Sequence, residues 1–275
     1  MRFTKMHGCG NDYVYVDGSR EHIDPALKPD VVRSLSDRHT GIGGDGVIFI
    51  NPSDVVDFEM EMWNADGTRS EMCGNGIRCV AKYVYDHALT DKTEIDIVSA
   101  ESVKHLQLFV SGAFSDSMEK SARPKVERVR VDMGAPVITP DPVTIEGLKF
   151  NCVSMGNPHA ITLVDDVFAT DVCGIGPVIE HDPFFPNRTN VEFIHIVDRS
   201  HIDMRVWERG TGETLSCGTG ACASAVSCID RGLCDAKVDV KLLGGTLTIE
   251  WDGKPGSHVF MTGPATEVFT GEIEI

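Results

Sequence analysis

The stretch Met60-Glu61-Met62-Trp63-Asn64-Ala65-Asp66-Gly67, running on to Cys73-Gly74-Asn75-Gly76, is echoed 144 positions later. There it reads Met204-Arg205-Val206-Trp207-Glu208-Arg209-Gly210, running on to Cys217-Gly218-Thr219-Gly220. The register holds on either side: Gly10-Asn11-Asp12 answers Gly156-Asn157-Pro158 at an offset of 146, and Ile95-Asp96-Ile97 answers Val238-Asp239-Val240 at 143. Four segments in one order at nearly one offset are read as two homologous halves.

Each half shows the same coarse succession. A short strand (13–16; 159–164) precedes a β-branched run (47–50; 191–197) and an alternating strand (57–63; 201–207). A glycine-broken turn then carries a cysteine into a helix. The spacing predicts a helix over 76–89 with Ile77, Val80, Ala81, Val84, Tyr85 and Ala88 on one face. A second is predicted over 220–231, small and apolar almost all round, as suits an enclosed helix. Strands follow at 95–100, 106–110, 238–243 and 246–251. The polar, Gly/Ser-containing segment 111–124 is the expected junction, giving domains 1–117 and 118–262, with the tail 263–275 returning to the first.

The 275 residues carry 42 acidic and 25 basic side chains, a net charge of −17, which argues against nucleic acid or an anionic membrane surface as a partner. No window approaches the eighteen or so apolar residues of a membrane span, and Met1-Arg2-Phe3-Thr4-Lys5-Met6-His7 lacks a secretory apolar core. Nine cysteines, an odd and sparse set, suit reduced thiols and a cytoplasmic location rather than a disulfide scaffold.

Gly41-Ile42-Gly43-Gly44-Asp45-Gly46 matches the dinucleotide fingerprint letter for letter, but Val-Ile-Phe-Ile follows it, a strand where that site needs a helix N-terminus. It is read as a turn. No C-x2-C pair is present, so no structural zinc is expected. Cys9, Cys79, Cys152, Cys173, Cys222, Cys228 and Cys234 are read as small hydrophobes.

Cys73 and Cys217 differ from these. Each precedes a Gly-x-Gly that opens a helix, where unsatisfied N–H groups and the helix dipole lower a thiol pKa and offer a seat for a carboxylate. A matched pair fits the inversion of a stereocentre beside a carboxylate: one thiolate removes a proton from one face, one thiol supplies a proton to the other. Asn11, Asn64, Asn157 and Asn190 at strand ends, and Arg209 as a fork for a second carboxylate, fit amino-acid recognition. His159 and Glu208 could tune the thiols. No lysine motif points to pyridoxal chemistry. The same residues also admit a proline-type racemase or related isomerase, and a non-enzymatic thiol protein for metal or redox sensing. The need for a second carboxylate site opposes a simple proline ring.

Taken together, Lys5 to Asp12, Phe58 to Gly67, Cys73-Gly74-Asn75-Gly76-Ile77-Arg78-Cys79, Ser154 to His159 and Trp207 to Gly210 leading to Cys217-Gly218-Thr219-Gly220-Ala221-Cys222 resemble the diaminopimelate epimerase family over nearly the whole length. The resemblance implies an α/β (α+β) fold of two pseudo-symmetric domains. Each would be a curved, mostly antiparallel sheet wrapped around a central helix, with the site between them. It implies cofactor-independent epimerisation of LL-2,6-diaminopimelate to the meso form, in lysine and peptidoglycan precursor synthesis. Cys73 and Cys217 match the acid/base residues, and His159 and Glu208 match supporting positions. Asn11, Asn64, Gly74, Asn75, Asn157, Asn190, Glu208, Arg209, Gly218 and Thr219 match substrate-binding positions. A homodimer is implied, with Phe269 at the contact. One departure stands out: Gly46 occupies a position where some members carry a substrate-binding glutamine.

Overall fold

The computed structural model describes residues 1–70, 73–100, 102–111 and 124–275. The chain divides into two units, Met1–Val131 with Gly263–Ile275, and Asp132–Thr262. The junction expected between residues 117 and 118 lies outside the described residues.

The first unit holds β1 (Arg2–Gly8), β2 (Asn11–Asp17), α1 (Lys28–Ser36), β3 (Gly46–Pro52), β4 (Phe58–Asn64), α2 (Gly74–Asp86), β5 (Glu94–Ser99), β6 (Ser102–Val110) and most of β7 (Val126–Gly134). The chain end adds β18 (Thr266–Glu272), which runs antiparallel to β1. Antiparallel pairs β1–β2, β3–β4, β5–β6 and β6–β7 alternate with the parallel pairs β2–β3 and β4–β5.

The second unit repeats this order with β8 (Val137–Ile138), β9 (Val143–Ile145), β10 (Leu148–Ser154), β11 (Pro158–Leu163), α3 (Val172–Glu180), β12 (Asn190–Asp198), β13 (His201–Glu208), β14 (Gly212–Thr214), α4 (Gly218–Asp230), β15 (Lys237–Leu242), β16 (Gly245–Glu250) and β17 (Val259–Pro264). Its parallel pairs are β11–β12 and β13–β15. The duplication reaches single residues: Val47 pairs with Trp63, and Val191 pairs with Trp207. Two helices that no periodicity announced, α1 and α3, also correspond, since Lys28 and Val172 stand 144 positions apart.

The continuous apolar runs are explained by helices on both faces of each sheet. On one face, Val14, Val16, Val47, Phe49 and Trp63 pack with Val32 and Leu35 of α1; in the second unit Ala160, Val191 and Phe193 pack with Val172 and Ile179 of α3. The other face closes on the central helices. Helix α2 packs on β1, β2, β6 and β18, and α4 on β10, β11, β12, β13, β15 and β16.

Helix α2 is buried nearly all round, wider than the single apolar face read from its spacing. The difference lies in its two cations. Arg78 is fully buried yet donates to Gly74 O, Asn75 Oδ1 and Pro264 O, while Lys82 pairs with Asp86 at 2.7 Å and donates to Val126 O. Paired in this way, charges can be enclosed. Among the described residues no helix is long and apolar enough to cross a membrane.

Candidate active site

Each unit presents one cysteine at the N-cap of its central helix, Cys73 before α2 and Cys217 before α4. Both helices carry a glycine at their third residue, where a Cβ would crowd the tip of a strand side chain. A Cβ at Gly76 would press on Ile48 at 2.8 Å, and one at Gly220 would press on Glu192 Oε1 at 2.6 Å. Ile48 and Glu192 stand 144 positions apart, so the repeat places an alkyl group behind one thiol and a carboxylate behind the other.

In the first unit, the Cys73 thiol accepts from Gly76 N–H at 3.3 Å and donates to Asn11 Oδ1 at 3.1 Å. Asn11 Nδ2 in turn donates to Asp45 Oδ2 at 2.7 Å. Asn75 is buried and its Oδ1 accepts from Arg78 at 2.8 Å, so this side chain holds the helix end. Asn64 closes its turn by donating to Thr68 Oγ1 at 3.1 Å. The N–H groups of the first turn, from Gly74 on, point out of the helix end, where a carboxylate is favoured. At Gly46 a Cβ would collide with the Trp63 carbonyl, so the close backbone approach excludes a glutamine here without a backbone shift.

In the second unit, Cys217 is buried, with Sγ 3.6 Å from Thr219 Oγ1. Asn157 Nδ2 donates to that hydroxyl at 3.2 Å, and Asn157 Oδ1 faces His159 Nε2 at 3.0 Å. His159 Nδ1 lies 2.7 Å from Glu192 Oε1, both side chains fully buried. Glu192 Oε2 has no partner among the described residues. Glu208 accepts from Thr214 Oγ1. Asn190 is spent on the backbone: it donates to Pro158 O at 2.9 Å and accepts from Arg209 N–H at 2.9 Å. Arg209 itself is exposed, donates to Asn187 O at 3.3 Å, and edges a cavity of about 360 Å³ with Ser154, Pro158 and Phe184.

The electrostatics reverse one expectation. Cys217 is pushed well above the ordinary thiol range by burial first, then by the carboxylates of Glu208 and Glu192; Thr219 and the Gly220 N–H act the other way and are outweighed. Burial also raises Glu208 and Glu192, the latter opposed by His159. The helix end alone therefore does not make Cys217 acidic.

Among the other thiols, Cys9, Cys79, Cys222, Cys228 and Cys234 are buried, Cys152 is half-buried and Cys173 is exposed; all nine are thiols. Among the described residues no group of three or more His, Cys, Asp or Glu side chains is placed to hold a metal ion. Phe269, on β18, is 47% exposed and packs edge-on against Phe3 at 5.9 Å.

Sequence reading missed Glu192 and Asp45. A carboxylate inside the apolar Val191-Glu192-Phe193-Ile194 run was the available signal for the first. Because Glu192 raises Cys217, Glu192→Gln is expected to move the pH profile of Cys217 labelling by a small methanethiosulfonate to lower pH. The Cys73 profile should stay in place, with both read by peptide mass spectrometry.

Solved structures share the fold. A PhzF-family phenazine biosynthesis protein from Bacillus anthracis superposes with a TM-score of 0.75 at 16% identity, covering 100% of this chain and 99% of that one. A probable proline racemase from Agrobacterium radiobacter gives 0.70 at 15%, covering 100% and 93%. The model of the family described as diaminopimelate epimerase matches residues 3–138 and 151–268. Diaminopimelate epimerases of Agathobacter rectalis and Bacteroides thetaiotaomicron are each 49% identical, covering 100% of this chain and 100% and 98% of their own. That of Methanococcus maripaludis is 47% identical, covering 100% of both chains.

The chain is thus an isomerase of the racemase and epimerase class. Within that class it belongs to the diaminopimelate epimerase family.

Proposed function

We propose that the chain interconverts LL-2,6-diaminopimelate and the meso form by a two-thiol mechanism without cofactor. One observation supports this above all: a cysteine caps the same helix end in both repeats, at Cys73 and Cys217. In this reading the α-carbon of one end of the substrate lies between the two sulfurs. One thiolate takes the α-proton, the electron pair is held on the α-carbon and its carboxylate, and the opposite thiol delivers its own proton to the other face. The new thiolate then begins the reverse reaction.

The weak acidity of the α-proton is met by electrostatics. The reacting carboxylate sits on the first-turn N–H groups of Gly74 and Asn75 and of Gly218 and Thr219. Glu208 and the buried His159–Glu192 pair bias Cys217 toward the thiol, the form that donates. Asn11 and Asn157 orient the thiols, and Asn64 and Arg209 hold the distal end. Asn190 serves this recognition by fixing the backbone of Arg209.

The reading extends to a cytoplasmic homodimer in the pathway of lysine and cell-wall precursors, with the half-exposed Phe269 at the contact. Phe269→Ala is expected to shift the protein toward monomer in sedimentation, and an unchanged dimer would remove that residue from the contact. Incubating reduced protein with LL-diaminopimelate and resolving the stereoisomers by chiral chromatography tests the activity itself. Meso isomer is expected, and its absence would refute the reading. Mild oxidation by diamide, which accepts the two electrons and two protons of the thiols, is expected to join Cys73 to Cys217 and abolish turnover; inactivation with both thiols still titratable would contradict that.

A further inference from the structure

We infer that Asp45, the acidic residue of the 41–46 turn, is a positioning residue that acts through Asn11 to fix which group the Cys73 thiol faces. The inference rests on the two-thiol reading above. An ionised carboxylate offers acceptors only. Asp45 Oδ2 receives Asn11 Nδ2 at 2.7 Å and Asp12 N–H at 3.1 Å, and its Oδ1 receives Arg38 Nη2 at 2.9 Å. The amide nitrogen of Asn11 must therefore face Asp45, which leaves Asn11 Oδ1 toward Cys73, 3.1 Å away. Turning the amide over would set oxygen against carboxylate. An oxygen can only accept, so in the resting site Cys73 is the donor, a thiol with its S–H directed at Asn11; it acts as the base once that proton has passed to solvent, and Asn11 sets its direction.

The turn is built to hold this geometry. Asp45 N–H donates to Asp12 O at 2.7 Å, and Asp45 O accepts from Ala65 N–H at 3.1 Å. Arg38 also forks onto both oxygens of Asp12, at 3.1 and 2.7 Å, and Lys5 pairs with Asp12 at 2.5 Å. The glycine-rich motif that imitates a nucleotide loop thus carries one carboxylate to the back of Asn11. The second repeat lacks the device. Position 189, 144 residues on, is Thr189, whose hydroxyl donates to Asn190 O at 3.0 Å, and Asn157 turns its oxygen to His159 instead.

The test is Asp45→Asn, an isosteric change that removes the obligation on Asn11 because an amide can both donate and accept. Turnover is expected to fall about tenfold, the factor for roughly one net hydrogen bond, with KM and melting temperature nearly unchanged. Labelling of Cys73 by a small methanethiosulfonate should rise several-fold, about the change a partial loss of that bond allows, against an unchanged Cys217 in the same molecules. In an Asn11→Ala background, Asp45→Asn should cost nothing further, because the two act in series. Asp45→Ser carries the same prediction should the asparagine variant not fold. Equal losses in both backgrounds, or unaltered Cys73 labelling, would overturn the inference. Inactive wild-type protein would instead count against the two-thiol reading, while the labelling comparison would still decide the role of Asp45.

Discussion

Replacing Cys73 or Cys217 by alanine is expected to lower epimerisation by about a thousandfold or more, the scale of a lost general acid or base. The more telling result lies in what survives. Each single variant keeps one sulfur, and that sulfur can still remove and return a proton on its own face of the α-carbon. In heavy water one variant should therefore wash out the α-proton of the LL isomer without forming meso product. The other should leave the LL isomer untouched and exchange only the inverted centre. A cysteine serving the fold alone would impair both exchanges together or neither. Melting temperatures should stay close to wild type for Cys73, which is only half-buried, and fall modestly for the buried Cys217.

Arg209→Met is expected to reduce kcat/KM for LL-diaminopimelate about a hundredfold, the value of one or two charge-assisted hydrogen bonds to a carboxylate. Arg209 is exposed beside a cavity, and its backbone is pinned by Asn190 at 2.9 Å, so its guanidinium is presented without being consumed by an internal carboxylate. Lysine is diaminopimelate less one carboxyl group and supplies the control. Wild type should handle lysine as poorly as the variant does, because neither complex then has the distal ion pair. Selective loss on diaminopimelate would show as a rise in KM larger than the fall in kcat. Equal loss on both compounds would mean that Arg209 holds the local structure and not the substrate.

The duplication was legible because it needs no propensity: one offset orders the two tryptophans, the two cysteines and the glycines that follow them. The thiols were legible for the same reason, since a cysteine before Gly-x-Gly at matched places can only sit at matched helix ends. Helices α1 and α3 escaped because each is nine residues long, α1 has Pro29 as its second residue, and α3 contains Pro177, all of which blunt periodicity. The tail 263–275 was expected to return to the first unit, but its register on β1, as between Thr4 and Thr270, is encoded by no local pattern. Within the site, residue types could be read but not their direction. Asn11 was a plausible substrate ligand, while the structure bonds both ends of its amide, one to Asp45 and one to Cys73. Asn190 was another, and it is bonded to the backbone at both ends. The sign of the Cys217 shift was missed because Glu192 comes from another strand, β12, and only the folded second unit brings its carboxylate near Cys217.

The central claim is tested most directly by proton NMR of LL-diaminopimelate in heavy water with reduced wild-type protein, a thiol reductant and no added cofactor. The account predicts loss of the α-proton signal together with growth of the meso isomer, whose newly inverted centre carries deuterium from the first turnover. Folded, fully reduced protein that leaves both the signal and the stereochemistry unchanged would contradict it.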